Sequence, residues 1–241
     1  MPATNEGFER LHESLRGPMR RYVTRLRELF GEHMLSLTVY GPAASGALPT
    51  RPQPLRSAVF FDALDWERMW QLAGEGPQSA SLPLAAPLVW TPEGLRSSCD
   101  VFPLEFIEIQ QQHVTLLGTD FFAPLEFAGP DVRLQCEREL KVASIALRQQ
   151  LLASGGRRQR LQHAGRELAE HLIRTLRGLL WLRQVRQALD PSQVVMEGER
   201  LLGRPLPGAA HLANAGNEVT WQQFRDLCAD VEALEQFVDA L

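Results

Sequence analysis

The feature that most limits what this chain can fold into is a change of pattern near residue 129. Before it, apolar residues fall in short runs with the period of strands, parted by Pro and Gly. Beyond it, they recur every three to four residues along extended stretches that open on capping residues. The pattern predicts an α+β part over residues 1–129, a mixed sheet with flanking helices, followed by an all-helical bundle over 130–241. At 241 residues and 44% apolar side chains, the chain is long and apolar enough for a core in each part.

In the first part, Phe8, Leu11 and Leu15, then Tyr22, Val23, Leu26, Leu29 and Phe30, sit at helical spacing, with a break expected at Gly17-Pro18. LSLTVYG alternates as a half-buried strand, and Ser57–Phe61 reads as a second strand. Between them lies a Pro- and Gly-rich loop. Asp65 is placed to cap a helix over 66–74, and Thr91-Pro92 to open a short one over 92–98. PLVW, VFPLEFIEIQ and HVTLLG all read as extended, the second because Phe106 and Ile109 are flanked by Glu105 and Glu108. In the second part, helices are expected over 132–153 (capped by Asp131), about 158–188, and from Asp190-Pro191 to about 203, where RPLPGAA reads as a loop. Thr220 with Gln223 is a capping box. It opens a stripe of Trp221, Phe224, Leu227, Val231, Leu234 and Phe237 that suits either the chain's own bundle or a homodimer contact.

Composition narrows the function classes. The first residues are polar and contain acids, unlike a secretory or transit segment, and no apolar run approaches the ~18–20 residues of a membrane span. Cys99, Cys136 and Cys228 lie far apart with no paired spacing, which argues against a disulfide framework or a structural zinc site, so a cytoplasmic protein is expected. A net charge of −4 and a pI of about 5.9 give no strong nucleic-acid signal.

The most informative segment is LTVYGPAASG. A strand delivers the chain to Gly41, small residues follow, and Gly46 closes the turn. Downstream, FPLEFIEIQQQHVTLLG leads into a helix that starts with an acid. Over about residues 35–155 this order resembles the nucleotidyltransferase superfamily, specifically small bacterial members related to kanamycin nucleotidyltransferase with a helical C-terminal domain. The resemblance implies a turn that holds a nucleotide's phosphates, with Gly41, Ser45 and Gly46 at the matching positions. It also implies two carboxylates one residue apart on the second strand and a third on a later strand, to hold magnesium for phosphoryl transfer.

The sequence departs from that pattern. The family's turn serine is Pro42 here, which has neither hydroxyl nor amide hydrogen. From His33 through Phe61 there is no Asp or Glu, although 29 acids in 241 residues would put three or four in such a stretch. The resemblance therefore implies a degenerate member: no catalytic residues, no metal and no cofactor, and a binding or interaction module whose partner is another protein or a weakly held nucleotide. The alternatives are an active transferase that binds magnesium and a nucleotide through Asp62, Asp65, Glu105 or Glu108, or a helix-mediated oligomeric scaffold.

Other constellations are weaker. His163, Glu167 and His171 recur every four residues, but their ends are about 12 Å apart along a helix, too far for one ion. Arg166 and His171 match the Arg-x4-His spacing of HEPN ribonucleases, a spacing that 24 Arg and 6 His produce by chance. Arg166, Arg174 and Arg177 share a helix face that reads as solvated or inter-helix.

Overall fold

The structure is a computed structural model that describes residues 5–46, 54–75, 84–161, 164–214 and 219–241. The chain forms two compact units, Met1–Cys99 with Ile109–Glu126, and Asp100–Glu108 with Phe127–Leu241.

The first unit is built on a four-stranded sheet of β1 (Met34–Tyr40), β2 (Arg56–Phe61), β3 (Leu88–Trp90) and β4 (His113–Gly118), in the order β3-β2-β1-β4. β1 pairs antiparallel with β2 and β4, and β3 lies parallel to β2, so the sheet is mixed. β1 is central because nearly all of MLSLTVY can be buried. Leu37 and Val39 join Val59, Phe61, Val114 and Leu116 in one core, each such side chain contributing roughly 1.5–3 kcal/mol. Thr38, buried in the same strand, is satisfied by Thr115 of β4, with 3.0 Å between the hydroxyls.

Helices α1 (Asn5–Glu9) and α2 (Glu13–Phe30) cover that core with Phe8, Met19, Val23, Leu26 and Phe30. The break falls at residues 10–12 and not at Gly17-Pro18; α2 runs through Pro18. Pro18 forfeits one amide bond near the helix start, and burying five side chains of α2 outweighs that loss. After β2 comes α3 (Trp66–Glu75), where Asp65 accepts the Arg68 amide at 3.0 Å as the N-cap, and α4 (Pro92–Arg96), capped by Thr91.

The stretch VFPLEFIEIQ is not a strand. Pro103–Gln111 forms helix α5. Pro103 suits a first helical turn, and the apparent alternation is a spacing of three: Leu104 and Ile107 enter the core of the second unit, while Glu105 and Glu108 share another side.

The second unit contains α6 (Gly129–Ala153), α7 (Ala164–Leu182), α8 (Pro191–Leu202), α9 (Pro207–Asn214) and α10 (Trp221–Asp239), around a core that includes Cys136, Leu140, Leu176, Leu179, Phe224 and Leu234. No strand lies beyond Gly118 among the described residues. Capping boxes open α8 at Asp190 and α10 at Thr220. Three boundaries differ from expectation. Asp131 sits inside the first turn of α6, whose N-cap is Ala128. α7 stops at Leu182, and Gln184 takes a left-handed φ of 68°. The expected loop RPLPGAA contains the start of α9. The acceptor for its first amides is distant in sequence: Asp230 of α10 takes the Ala209 amide at 2.9 Å. Gly208 is required there, because a Cβ would run into the Leu227 backbone.

Candidate functional site

The turn after β1 is the candidate phosphate-binding element. Gly41 (φ 74°) leaves the strand, Pro42–Ser45 forms one 3-10 turn, and Gly46 (φ 78°) ends it. Both glycines occupy the left-handed region that side chains disfavour. The turn is satisfied largely from within. The Gly41 amide donates to Gln112 carbonyl and the Ala44 amide to Gly41 carbonyl, each at 2.9 Å, and the Ser45 hydroxyl donates to Pro42 carbonyl at 2.8 Å. Ala43 and Ala44 are buried, while Pro42 and Ser45 face solvent.

Antiparallel pairing sets the start of β2 beside this turn, with Arg56 opposite Tyr40 and Ser57 opposite Val39. These positions bring a guanidinium and a neutral hydroxyl. Ser57 is buried and hydrogen-bonded to Tyr22 of α2, whose phenol burial pushes up to about 12. The residues here do not fit magnesium, which needs carboxylate oxygens.

Of the four acids named as alternatives, Asp62 and Asp65 lie away from the turn within the first unit, and Glu105 and Glu108 belong to the second unit. Asp62 follows the far end of β2, where Phe61 pairs with Met34, about 20 Å from the turn at ~3.3 Å per residue. Its carboxylate lies 3.0 Å from Nδ1 of His33, a bond that holds the acid below its ordinary value. Asp65 caps α3 and pairs with Arg68 at 3.2 Å. In the second unit, Arg174 of α7 spans both remaining acids, 2.9 Å from Glu108 and 3.3 Å from Glu105, and Gln135 donates to Glu105 at 2.8 Å. Burial opposes the charge of Arg174, but Glu108, then Glu105 and Glu170, outweigh it and raise its pKa. Each of the four carboxylates thus has a partner, and among the described residues no three His, Cys, Asp or Glu converge as metal ligands.

The structure also shows a pair that local pattern did not reveal. His113 opens β4 opposite Tyr40, at the turn end of the sheet. Its nearly buried ring sits 2.9 Å from Asp120 through Nε2 and 3.0 Å from Ile109 carbonyl through Nδ1, so both nitrogens face acceptors. Asp120 also accepts the amides of Phe122 and Ala123 at 3.0 Å. Burial works against its charge, but the His113 bond and these amides prevail and hold the acid below its ordinary value. Asp120 carried no motif signal, since its partner lies seven residues back across a glycine turn.

Of the weaker constellations, His163 and the side chains of Arg166 and Glu167 lie outside the described residues. His171 is exposed and pairs with Glu139 at 3.5 Å. Arg177 is half-buried, its Nε has no hydrogen-bond partner, and burial lowers its pKa against the pull of Glu108 and Asp190.

No protein-family model matches the sequence, and no curated protein matches it. Among solved structures, the chain is similar to the spectinomycin adenyltransferase AAD(9) from Enterococcus faecialis, solved with ATP and spectinomycin. The TM-score is 0.58 at 8% identity, over 92% of this chain and 98% of that one. At that identity the likeness is one of architecture: the chain has a nucleotidyltransferase-like α+β fold with a helical C-terminal part.

Proposed function

We propose that this chain is a nucleotidyltransferase-fold protein that does not transfer nucleotides and acts as a binding or interaction module. The observation that carries the reading is the start of β2. Where two-metal chemistry needs paired carboxylates, the strand presents Arg56 and a Ser57 buried against Tyr22. A guanidinium about 4 Å from a divalent cation costs roughly 2 kcal/mol even in bulk water, and more in a cleft. Pro42 removes a phosphate donor from the turn besides. A magnesium ion and a nucleotide belong only to the alternative of an active transferase, which the separation of Asp62 from the turn and the engagement of Glu105 and Glu108 by Arg174 disfavour.

The test is direct. Purified protein with magnesium or manganese, labelled ATP, CTP, GTP or UTP, and aminoglycoside, protein and RNA acceptors is expected to give no labelled product. Reproducible transfer that vanishes on Asp62→Ala or Glu105→Ala overturns the reading.

A further inference from the structure

Residues 140–166 hold six cations and no acid, a stretch that the net charge of −4 for the whole chain conceals. Lys141 faces Glu235 and Asp239 of α10, Arg148 shares the surroundings of Cys228 with Glu232, and the side chain of Arg166 lies outside the described residues. The other three, Arg157, Arg158 and Arg160, are exposed, and none has an ion pair among the described residues. Local geometry presents them together. α6 ends at Ala153, and Gly155 and Gly156 reverse the chain at left-handed φ of 57° and 75°. Ser154 carbonyl accepts the Arg157 amide at 3.1 Å, and Arg158–Leu161 forms a 3-10 turn. Leu161 is buried in the core of the second unit, which fixes the turn and leaves the three guanidiniums in solvent.

Beside this turn lies an open cleft of about 410 Å³, a volume in the range of ligand sites. Arg158 and Gln159 line it from the turn, and residues 219–222 from the start of α10. Trp221 supplies a flat aromatic wall, its ring held nearly parallel to Phe224 with 12° between the planes and 6.1 Å between centroids. Gln159, Thr220 and Gln222 add amide and hydroxyl groups, and among the described residues no acid lines the cleft. The next acid along α10, Asp226, takes the Gln222 amide at 2.8 Å. Guanidinium forks match phosphate oxygens, and an indole stacks on any base. An acidic peptide would use the cations and leave the indole idle. Arg157 and Arg160 stand on the same turn but outside the lining, so a ligand that reaches all three cations extends beyond the cleft. A strand does so and a single nucleotide does not. Unpaired bases are free to stack on a side chain, whereas a duplex keeps its bases stacked on one another.

We propose that the turn of Arg157, Arg158 and Arg160 and the Trp221 cleft bind single-stranded nucleic acid, the guanidiniums on its phosphates and one base stacked on the indole. The cleft belongs to the second unit and the turn after β1 to the first. Binding here is therefore separate from any nucleotide held at that turn, and stands whether or not the first unit transfers nucleotides.

The probe is a fluorescein-labelled oligothymidylate of about 12 nucleotides, titrated with the intact protein over a range of salt concentrations. Three phosphate contacts are expected to make log K fall with log salt at a slope of about −2, at roughly −0.7 per contact. Arg157→Gln, Arg158→Gln and Arg160→Gln are each expected to reduce that slope by about 0.7, and the triple variant to abolish binding with an unchanged melting temperature, since all three side chains are exposed. Trp221→Leu keeps apolar packing and loses the flat ring; it is expected to weaken binding about tenfold at an unchanged salt slope. Trp221 is half-buried, so the exposed arginines carry the test independently of its packing. Absence of binding at low salt, or a triple variant that binds like the wild type, overturns the proposal. So does equal affinity for the same sequence as a duplex, which removes the stacked base. Displacement of the probe by polyglutamate as readily as by unlabelled strand assigns the turn to an acidic polypeptide instead, and displacement by ATP at matched phosphate concentration reduces the cleft to a mononucleotide site; either result overturns it.

Discussion

Asp230 shows how one residue connects sequence, packing and solution behaviour. It sits fully buried on α10, where one carboxylate oxygen accepts the Ala209 amide at 2.9 Å and the other has no partner. Burial pushes its carboxyl up to about 6; the amides of Ala209 and Gly208 and the charge of Arg204 pull the other way, and Asp226 adds to the rise. A carboxyl whose folded pKa is raised stabilises the fold through its neutral form. That contribution is complete below the ordinary value near 4 and is lost as pH rises to about 6. At about 1.4 kcal/mol per unit, the loss is at most about 3 kcal/mol. Asp230→Asn keeps the acceptor for Ala209 without the charge. Melting temperatures taken from pH 4 to pH 7 are expected to show the variant gaining on the wild type through that interval, and a constant difference would refute the assignment. The residue's role was invisible in sequence, because its partner helix had read as a loop.

At the scale of elements, legibility depended on whether the cause was local. The caps at Asp65, Thr91, Asp190 and Thr220 work as expected because an N-cap and its amide lie two or three residues apart. β1, β2 and β4 were legible as short, largely apolar runs bounded by turn residues; β1 and β2 prove buried on both faces, which favours such runs over strict alternation. α5 was not, since a spacing of three in a nine-residue helix looks like alternation when apolar residues and glutamates intersperse. The stripe of α10 was legible, and its burial gives a test. Phe224, Leu227, Val231 and Leu234 are each at most 2% exposed and belong to the core of the second unit. Placing a carboxylate at Phe224 removes a fully buried ring, worth about 3–5 kcal/mol on truncation alone, and adds a charge without a partner. Phe224→Asp is expected to unfold the helical unit, seen as loss of helical circular dichroism in a monomeric sample. A folded variant that merely dissociates from a dimer would assign the stripe to an interface.

At the scale of the whole molecule, the fold is nucleotidyltransferase-like, and the proposed non-catalytic reading rests on three positions that depart from what two-metal transfer needs. The absence of Asp and Glu from β2 was readable from the sequence, because absence from a strand needs no partner to be recognised. The fate of the remaining acids was not. Asp62 is removed from the turn by the pairing register, and Glu105 and Glu108 are held by Arg174, more than sixty residues away in sequence. On the proposed reading the three departures differ in kind: no amide hydrogen at Pro42, a cation at Arg56, and a hydroxyl sealed against Tyr22 at Ser57. Restoring one cannot supply the others. Pro42→Ser alone and Ser57→Asp alone are each expected to leave nucleotide transfer undetectable. Ser57→Asp has a further cost, since it places a carboxylate in a buried site beside a neutral phenol. Without a metal to neutralise it, that charge is expected to destabilise the first unit by about 3 kcal/mol, read as a lower melting temperature. If magnesium restored the melting temperature of Ser57→Asp, or if either single change produced transfer, the site would be one substitution from competence, and the protein would belong with the active enzymes.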